Sequence, residues 1–249
     1  MSVLEALAIA GAGLVAGTIN TIVGSGSLIT FPTLLAFGFS PVVANVSNTV
    51  GLVPGSLSGA IAYRSELRGQ RPRLLVLGVG SVTGGITGAV LLLILPGSVF
   101  RHVVPALILV ACVLVALQPR LSARLVHNRD RHAHGGPALV ASVYLAGVYG
   151  GYFGAAQGVI LVSLLGIFFT DHIQRLNAAK NVLALLVNGA AALLFMVFAH
   201  VAWDAAGLVA AGSVVGGQVG GVLGRRLPAP LLRGVIIAVG VSAALALLV

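Results

Sequence analysis

The sequence predicts an all-α polytopic membrane protein made of two inverted-topology repeats of about five hydrophobic segments each, short broken half-helices among them. Three observations carry this prediction. Of 249 residues 58% are hydrophobic and 8% charged, whereas a soluble domain has about a quarter of its residues charged. Apolar stretches near twenty residues recur along the chain, the length at which a helix crosses a bilayer. These stretches are continuous and rich in Leu, Ala and Val, which excludes the alternating pattern of a transmembrane β-barrel.

Taken in order, the apolar runs fall roughly at 4–23, 27–39, 42–63, 74–95 and 99–117. A polar linker follows, and further runs fall at 137–156, 158–169, 176–199, 205–224 and 231–249. The expected organisation is therefore a first transmembrane repeat over 1–117, a basic cytoplasmic linker over 118–136 and a second repeat over 137–249. The first run opens MSVLEALAIAG, with Glu5 and no basic stretch before it, so it reads as a retained helix and not a cleaved signal. The second run of each set has only about a dozen residues, too few at 1.5 Å per residue to cross a core of about 30 Å. These two read as half-helices or re-entrant pieces.

The net charge of +9 would suggest nucleic acid in a soluble protein. In a membrane protein it marks basic loops kept in the cytoplasm, and no nucleic-acid partner is expected. Arg64, Arg68, Arg71 and Arg73 mark one such loop, Arg120, Arg124, Arg129 and Arg131 the linker, Arg175 a third, and Arg225, Arg226 and Arg233 a fourth. With five segments per set all four lie inside together, leaving Arg101 on the far side, Lys180 within a segment and both termini outside. The single Cys112 lies in an apolar run and offers no disulfide framework; it reads as a packing residue. His127, His132 and His134 sit among the linker arginines, where a solvated basic loop is the simpler reading than a metal site.

The chain repeats itself at a spacing of 132 residues. Gly80-Ser81-Val82-Thr83-Gly84-Gly85 matches Gly212-Ser213-Val214-Val215-Gly216-Gly217, and Gly88 matches Gly220. The same spacing pairs Gly26 with Gly158, Phe37 with Phe169, Asn45 with Asn177 and Leu95-Pro96 with Leu227-Pro228. The basic stretch Arg64 to Arg73 corresponds to Met196 to Ala205, which has no arginine, while Leu93-Ile94 corresponds to Arg225-Arg226. Equivalent loops thus face opposite sides, the plan of many secondary transporters.

Within the first repeat, AGTINTIVGSGSLITFPTLL (Ala16 to Leu35) breaks its own helix at Gly24 to Ser27. The counterpart is YFGAAQG, around Gly154 to Gly158. A break at membrane depth is tolerated where it is buried or lines a cavity. The N–H groups and positive dipole end of the short helix beyond it make an anion site without a charged side chain. The alternative is that these glycines only permit close packing. Gly84, Gly85, Gly88 and their partners Gly216, Gly217 and Gly220 read as such contact faces.

Segment three carries Asn45, Asn48, Thr49 and Ser56 on one helical face, and the second repeat has Asn177, Lys180, Asn181 and Asn188 at the same spacing. Amides both donate and accept, which suits a small oxyanion stripped of water. The candidate substrate-binding residues are Asn20, Gly24, Gly26, Asn48, Thr49, Gln157, Gly158, Lys180 and Asn181. Lys180 has two readings: it faces an anion or cavity, since a charge in hydrocarbon costs about 2.5–3.5 kcal/mol, or it snorkels to the nearby cytoplasmic surface. The asparagines equally serve as interhelical hydrogen-bond glue.

The stretches AGTINTIVGSGSLITFP and ANVSNTVGLVPGSLSGAIAY, with GVYGGYFGAAQGVILV and LNAAKNVLALLVNGAAALLF in the second half, resemble the TauE/SafE family of sulfite and organosulfonate exporters, also described as toluene-sulfonate uptake permeases. The likeness covers nearly the whole chain. It implies a multi-pass protein of the bacterial inner (plasma) membrane that moves small sulfur-containing anions or related organic acids and takes no cofactor.

The expected function is export of small anions such as sulfite or sulfonates by a secondary transporter working through alternating access, with an anion channel as the near alternative. A membrane-embedded enzyme would need a nucleophile with its base, or clustered metal ligands, and no His groups convincingly with Asp or Glu in the segments. An assembly partner without transport activity is disfavoured by the repeated polar track. The acidic residues Glu5, Glu66, Asp130, Asp171 and Asp204 all fall in or near loops or helix ends, leaving no carboxylate as a proton relay at the midplane. Reporter fusions or cysteine labelling are expected to find the loops near 68, 127 and 228 cytoplasmic and both termini outside; a cytoplasmic C-terminus would contradict the five-plus-five scheme.

Overall fold

The computed structural model describes residues 1–124 and 136–223, with short stretches between 234 and 245. The helices are α1 (Val3–Ile22), α2 (Ser27–Ala36), α3 (Pro41–Ala62), α4 (Arg71–Ile94), α5 (Gly97–Arg124), α6 (Gly136–Tyr152), α7 (Gln157–Phe168), α8 (Ile173–Phe198) and α9 (Trp203–Leu223), with a 3-10 turn at Arg64–Leu67. Among the described residues there is no strand, and the protein is an all-helical polytopic membrane protein. The expected segments correspond to these helices within a few residues, except that α5 continues to Arg124. The linker histidines, Arg129, Arg131, Asp130, the Arg225–Arg233 loop and most of the segment at 231–249 lie outside the described residues.

Local chemistry explains where the helices start. Ser2 accepts from the N–H of Glu5 at 3.2 Å while Glu5 Oε2 accepts from the N–H of Ser2 at 2.8 Å, a reciprocal cap that satisfies two backbone donors of α1. Proline stands in the first turn of α3 and α4, where its missing N–H costs nothing. Among the described residues five helices are long and apolar enough to cross a membrane: α1, α4, α8 and α9, with α5 over Gly97–Leu117. α2 and α7, with 10 and 12 residues, are the two short ones expected from the sequence.

The packing inverts the soluble pattern. Large apolar side chains such as Leu4, Leu75, Val79, Leu145, Leu193, Val197 and Val222 are exposed, as a lipid-facing surface requires. Buried positions include Asn45, Ser47, Asn48, Ser81, Gln157, Lys180 and Ser213. Lipid tails are as apolar as leucine, so burial alone does not drive helices together and close backbone contact must. α1 and α9 meet through Gly13, Gly17, Gly212 and Gly216, and α4 and α6 through Gly84, Gly88, Gly147 and Gly151. α3 lies along α9, and α8 along α4. The glycine stripes are contact faces, as the sequence suggested. Cys112 is buried and unpaired among core side chains.

The helix ends are also sorted by chemistry. At one end Arg73 Nη1 pairs with Asp171 Oδ2 at 2.5 Å and Arg175 Nε with Asp171 Oδ1 at 3.1 Å, joining the start of α4 to the connection between α7 and α8. At the other end the N–H of Ala202 donates to Ser47 Oγ at 2.9 Å and Val42, Leu93 and Val201 pack into the apolar core. Arg64, Arg68, Arg73 and Arg175 thus belong to one end of the bundle, in keeping with the arginine distribution.

A Cβ at Gly216 would overlap the backbone of Leu14 and Thr18, whereas Gly207 has nothing within 4 Å among the described residues. Gly216→Ala is expected to destabilise by on the order of 1–3 kcal/mol through overpacking, and Gly207→Ala to change stability by about 0.5 kcal/mol or less. Thermal denaturation of both variants in detergent checks this; equal midpoints would remove the glycine contact as the basis of α1–α9 packing.

Candidate functional site

The chain interrupts its helices twice with one device. At the end of α1 the N–H groups of Val23 and Gly24 both reach Ile19 O, at 2.7 and 3.1 Å, and Gly24 turns to φ 88°. At the end of α6 the N–H groups of Phe153 and Gly154 both reach Tyr149 O, at 3.0 and 3.1 Å, and Gly154 turns to φ 79°. A left-handed residue ends the helix, and glycine adopts that conformation without a Cβ penalty. Gly154 follows Gly24 by 130 residues, so the break departs from the 132-residue spacing that pairs Gly26 with Gly158. The short helices absorb the difference: α7 is two residues longer than α2, and their C-caps Phe37 and Phe169 restore the 132 spacing.

The two breaks touch. The N–H of Gly158 donates to Gly24 O at 3.0 Å, and a Cβ on either glycine would overlap the other's backbone. Residues from opposite halves of the sequence therefore share one crossing point. Phe153 packs edge-on against Phe31 at 5.3 Å and Phe100 at 6.1 Å between ring centroids, closing the side of the second break with aromatic rings.

Lys180 runs across this crossing, its aliphatic stem over Gly158. It is 1% exposed, and its ammonium donates to Asn20 O at 2.9 Å and Thr21 O at 3.0 Å. The snorkelling reading is thereby excluded: the side chain turns inward onto the last turn of α1. Asn181 Nδ2 adds a longer bond to Thr21 O at 3.4 Å. The final carbonyls of α1 carry the negative end of its dipole, which an ammonium stabilises. Neutralising that end also removes what would repel an anion from the start of α2, three residues beyond Gly24.

Neither short helix has a side-chain cap: Gly26 before α2 and Ala156 before α7 make none. Ala156 is left-handed at φ 58° although it carries a Cβ, a conformation that costs roughly 1–2 kcal/mol. Beside these starts stand two buried polar groups, Ser25 Oγ and Gln157 Nε2, without a hydrogen-bond partner among the described residues. A buried donor left unmade costs about 1–3 kcal/mol. The N–H groups of Gln157, Gly158, Val159 and Ile160 at the start of α7 all find backbone acceptors, so the donors that remain here are the two unpartnered side chains and the Lys180 ammonium.

The structure brings Asn20, Gly24, Gly158, Lys180 and Asn181 into one connected set, with Gly26 and Gln157 at the adjoining helix starts. Asn48 is engaged elsewhere in its own half: Nδ2 donates to Ser27 Oγ at 3.1 Å and Oδ1 accepts from Thr30 Oγ1. Thr49 donates back to Asn45 O at 2.9 Å, a bond within its own helix. Asn45 crosses to the other half, where its Nδ2 donates to Tyr152 O at 3.0 Å, and Asn20 Nδ2 reaches Ser56 Oγ at 3.3 Å. Sequence reasoning missed Thr21, Ser25 and Thr30. Ser25 stands inside the GSGS break and could have been found there; Thr21 contributes a backbone carbonyl, which no side-chain pattern reveals.

Comparison with known proteins follows the same residues. The sequence profile of the family described as Sulfite exporter TauE/SafE matches residues 9–247. A protein of Sinorhizobium sp. named "Probable membrane transporter protein ORF9" is 28% identical over 246 residues, covering 95% of this chain and 90% of that one. One of Escherichia coli K12 named "Probable membrane transporter protein YfcA" is 30% identical over 247 residues, covering 93% and 86%. A "Probable membrane transporter protein" of Haemophilus influenzae is 26% identical over 229 residues, covering 90% and 87%. No solved structure matches. With a profile matched from Ile9 almost to the C-terminus and relatives aligned along nearly their whole length, this chain belongs to the TauE/SafE family.

Proposed function

We propose that the protein is a secondary transporter of small anions in the bacterial plasma membrane, sulfite and sulfonates being the substrate class favoured by its family. The donor cluster at the crossed breaks carries the reading. Ser25 Oγ and Gln157 Nε2, beside the starts of α2 and α7, offer hydrogen bonds to oxygen, and Lys180 makes the surroundings positive without an acidic partner among the described residues. Such a cluster suits an oxyanion and disfavours a cation. It offers no nucleophile with its base, so transport and not catalysis is the function proposed.

Alternating access between inverted repeats is the mechanism we infer. Its support is an exchange of packing partners between halves: α1 and α3 on α9 answer α6 and α8 on α4. Gly212 lies against Ala10 and Leu14, and Gly80 against Val140 and Tyr144, residues 130 positions further on. The arginine distribution supports an opposite orientation of the halves. In this arrangement the Gly24–Gly158 contact is a central closure, and rocking one half against the other opens it to either side in turn.

Lys180→Gln keeps a polar donor, on a side chain one atom shorter, and removes the charge. It is expected to lower sulfite efflux from proteoliposomes at least about tenfold, a loss of roughly 1.4 kcal/mol, with Lys180→Arg retaining part of the rate. Undiminished efflux at equal protein abundance would leave Lys180 as a structural clamp on α1.

Glu5, Glu66, Asp171 and Asp204 all lie at helix starts or between helices, so no described carboxylate is placed to relay protons through the centre. An inside-negative potential favours anion exit by about 2.3 kcal/mol per charge per 100 mV. Efflux is therefore expected to be electrogenic: a potassium diffusion potential, negative inside, accelerates it at equal pH on both sides. Transport driven by a pH gradient and indifferent to the potential would contradict this.

A further inference from the structure

The contacts around Asp171 show two arginines held in place by groups other than the carboxylate they share. Arg73 donates from Nε to Gln70 Oε1 at 3.0 Å and also from Nη2 to the same oxygen. Its guanidinium lies 4.7 Å from the centre of the Phe169 ring. Gln70 is 1% exposed and is itself fixed, its Nε2 donating to Glu66 O at 2.6 Å and to Arg175 O at 3.1 Å. Arg175 donates from Nη2 to Arg68 O at 3.2 Å. Each guanidinium then presents one further donor to one oxygen of Asp171. The fork stands without its carboxylate, because every one of these other bonds ends on Gln70, Phe169 or a backbone oxygen.

Asp171 itself is a tethered occupant. It belongs to the short connection between α7 and α8, and its side chain is 27% exposed, beside 12% for Arg73 and 29% for Arg175. Water therefore reaches the pair. One negative charge answers two positive ones, so the fork remains net positive with Asp171 in place. Burial by itself would raise the Asp171 carboxyl, but the hydrogen bond and charge of Arg73, followed by the charge and hydrogen bond of Arg175, outweigh it and hold the group below the usual carboxylate range. A depressed folded-state value means that the interaction is fully present above the ordinary carboxylate range and is lost only as pH falls through the lowered value. At neutral pH the carboxylate leaves the fork only when something replaces it.

We propose that Arg73 and Arg175 form a second anion site on the arginine-rich face, that the Asp171 carboxylate occupies it in competition with external ligand, and that a small oxyanion carrying two or more oxygens on one atom, such as a carboxylate, sulfonate or sulfite, displaces Asp171 there. Two guanidiniums that each give one donor to a separate oxygen suit that geometry. This rests on the reading of the protein as a small-anion transporter, for which the fork is the first station on the cytoplasmic side. Displacement also breaks the side-chain link from α4 of the first half to the α7–α8 connection of the second. The Gln70 and Arg68 contacts to Arg175 remain to keep the ends in register.

Methanesulfonate binding to the purified full-length protein, measured by calorimetry at constant ionic strength balanced with chloride, tests the proposal. Asp171→Ala removes the tethered competitor and is expected to bind methanesulfonate about tenfold more tightly than wild type, the gain from deleting an intramolecular ligand. Adding Arg73→Gln to that variant abolishes the gain. Should Asp171→Ala fail to fold, Asp171→Asn keeps the side-chain volume and is expected to show the same direction of change. Equal affinity in wild type and the Asp171 variants, or a gain that survives Arg73→Gln, overturns the fork as an anion site. The two readings fail separately: anion efflux by wild type with no gain in the Asp171 variants removes the fork alone, whereas a gain in a protein that moves no anion removes the transport reading and leaves the fork.

Discussion

The hydrogen bond from Gly158 to Gly24, 3.0 Å between two glycines that would collide if either carried a side chain, is the contact on which the centre of this fold depends. A bilayer supplies no water to a broken helix, so every backbone group freed at an interruption must be met from within the protein. The crossing meets that demand for both breaks at once. Gly158 would otherwise contribute an orphan N–H at the start of α7, and Gly24 an orphan carbonyl beyond the end of α1. Lys180 completes the arrangement by taking the carbonyls of Asn20 and Thr21. The same constraint explains why the unpartnered Ser25 Oγ and Gln157 Nε2 are informative. On the transport reading proposed above, the carried anion is their partner.

Much of the architecture was legible because membrane helices announce themselves by length and composition. The breaks were legible because glycine and serine clusters are out of place in an apolar run. The register of the second break was not. A spacing of 132 residues holds for the glycines of α4 and α9, and Gly26 to Gly158 fits it by letter. The conformations instead match Gly24 with Gly154, because two residues are added inside α7, where a change of length leaves no mark in a uniformly apolar sequence. Ala156 is a second case: its left-handed backbone occupies a place where the residue type predicts nothing unusual. Of the polar stripe on α3, the face was read correctly, but Thr49 satisfies its hydroxyl on its own helix and Asn48 is taken up by Ser27 and Thr30. Periodicity identifies a face; it does not show which side chains on that face remain available to a ligand.

The Arg73–Asp171–Arg175 group was illegible for another reason. Arg73 and Asp171 stand 98 residues apart, and each reads singly as an ordinary loop charge. Only the parallel course of α4 and α8 brings their starts together. The sequence does contain the asymmetry in weaker form, since at the 132 spacing Arg73 corresponds to Ala205, Asp171 to Phe39 and Arg175 to Val43. A repeat that keeps its glycines but exchanges charges for apolar residues has preserved its packing while differentiating its two ends.

That differentiation bears on direction. If the halves moved as equivalents, the energies of opening toward either side would be similar, and only the gradient would decide the flow. Here the equivalents are unlike at two levels. At the centre Lys180 takes the position that Asn48 has in the first half, so the charge lies beside the end of α1 and not at the second break. At the ends, one closure is a charged fork that water reaches and the other packs Val42, Leu93 and Val201. An apolar closure separates by wetting apolar surface, at about 25 cal/mol per Å² exposed, and an anion contributes little to that. A charged closure separates when a competing ion takes over its hydrogen bonds, so under the proposed displacement of Asp171 the carried anion lowers the barrier to its own admission. On the proposed transport reading, with the fork on the arginine-rich face, ligand-assisted opening is assigned to the cytoplasmic side. Such an asymmetry sets the rate from each side without altering the equilibrium, which the membrane potential and the concentration gradient fix.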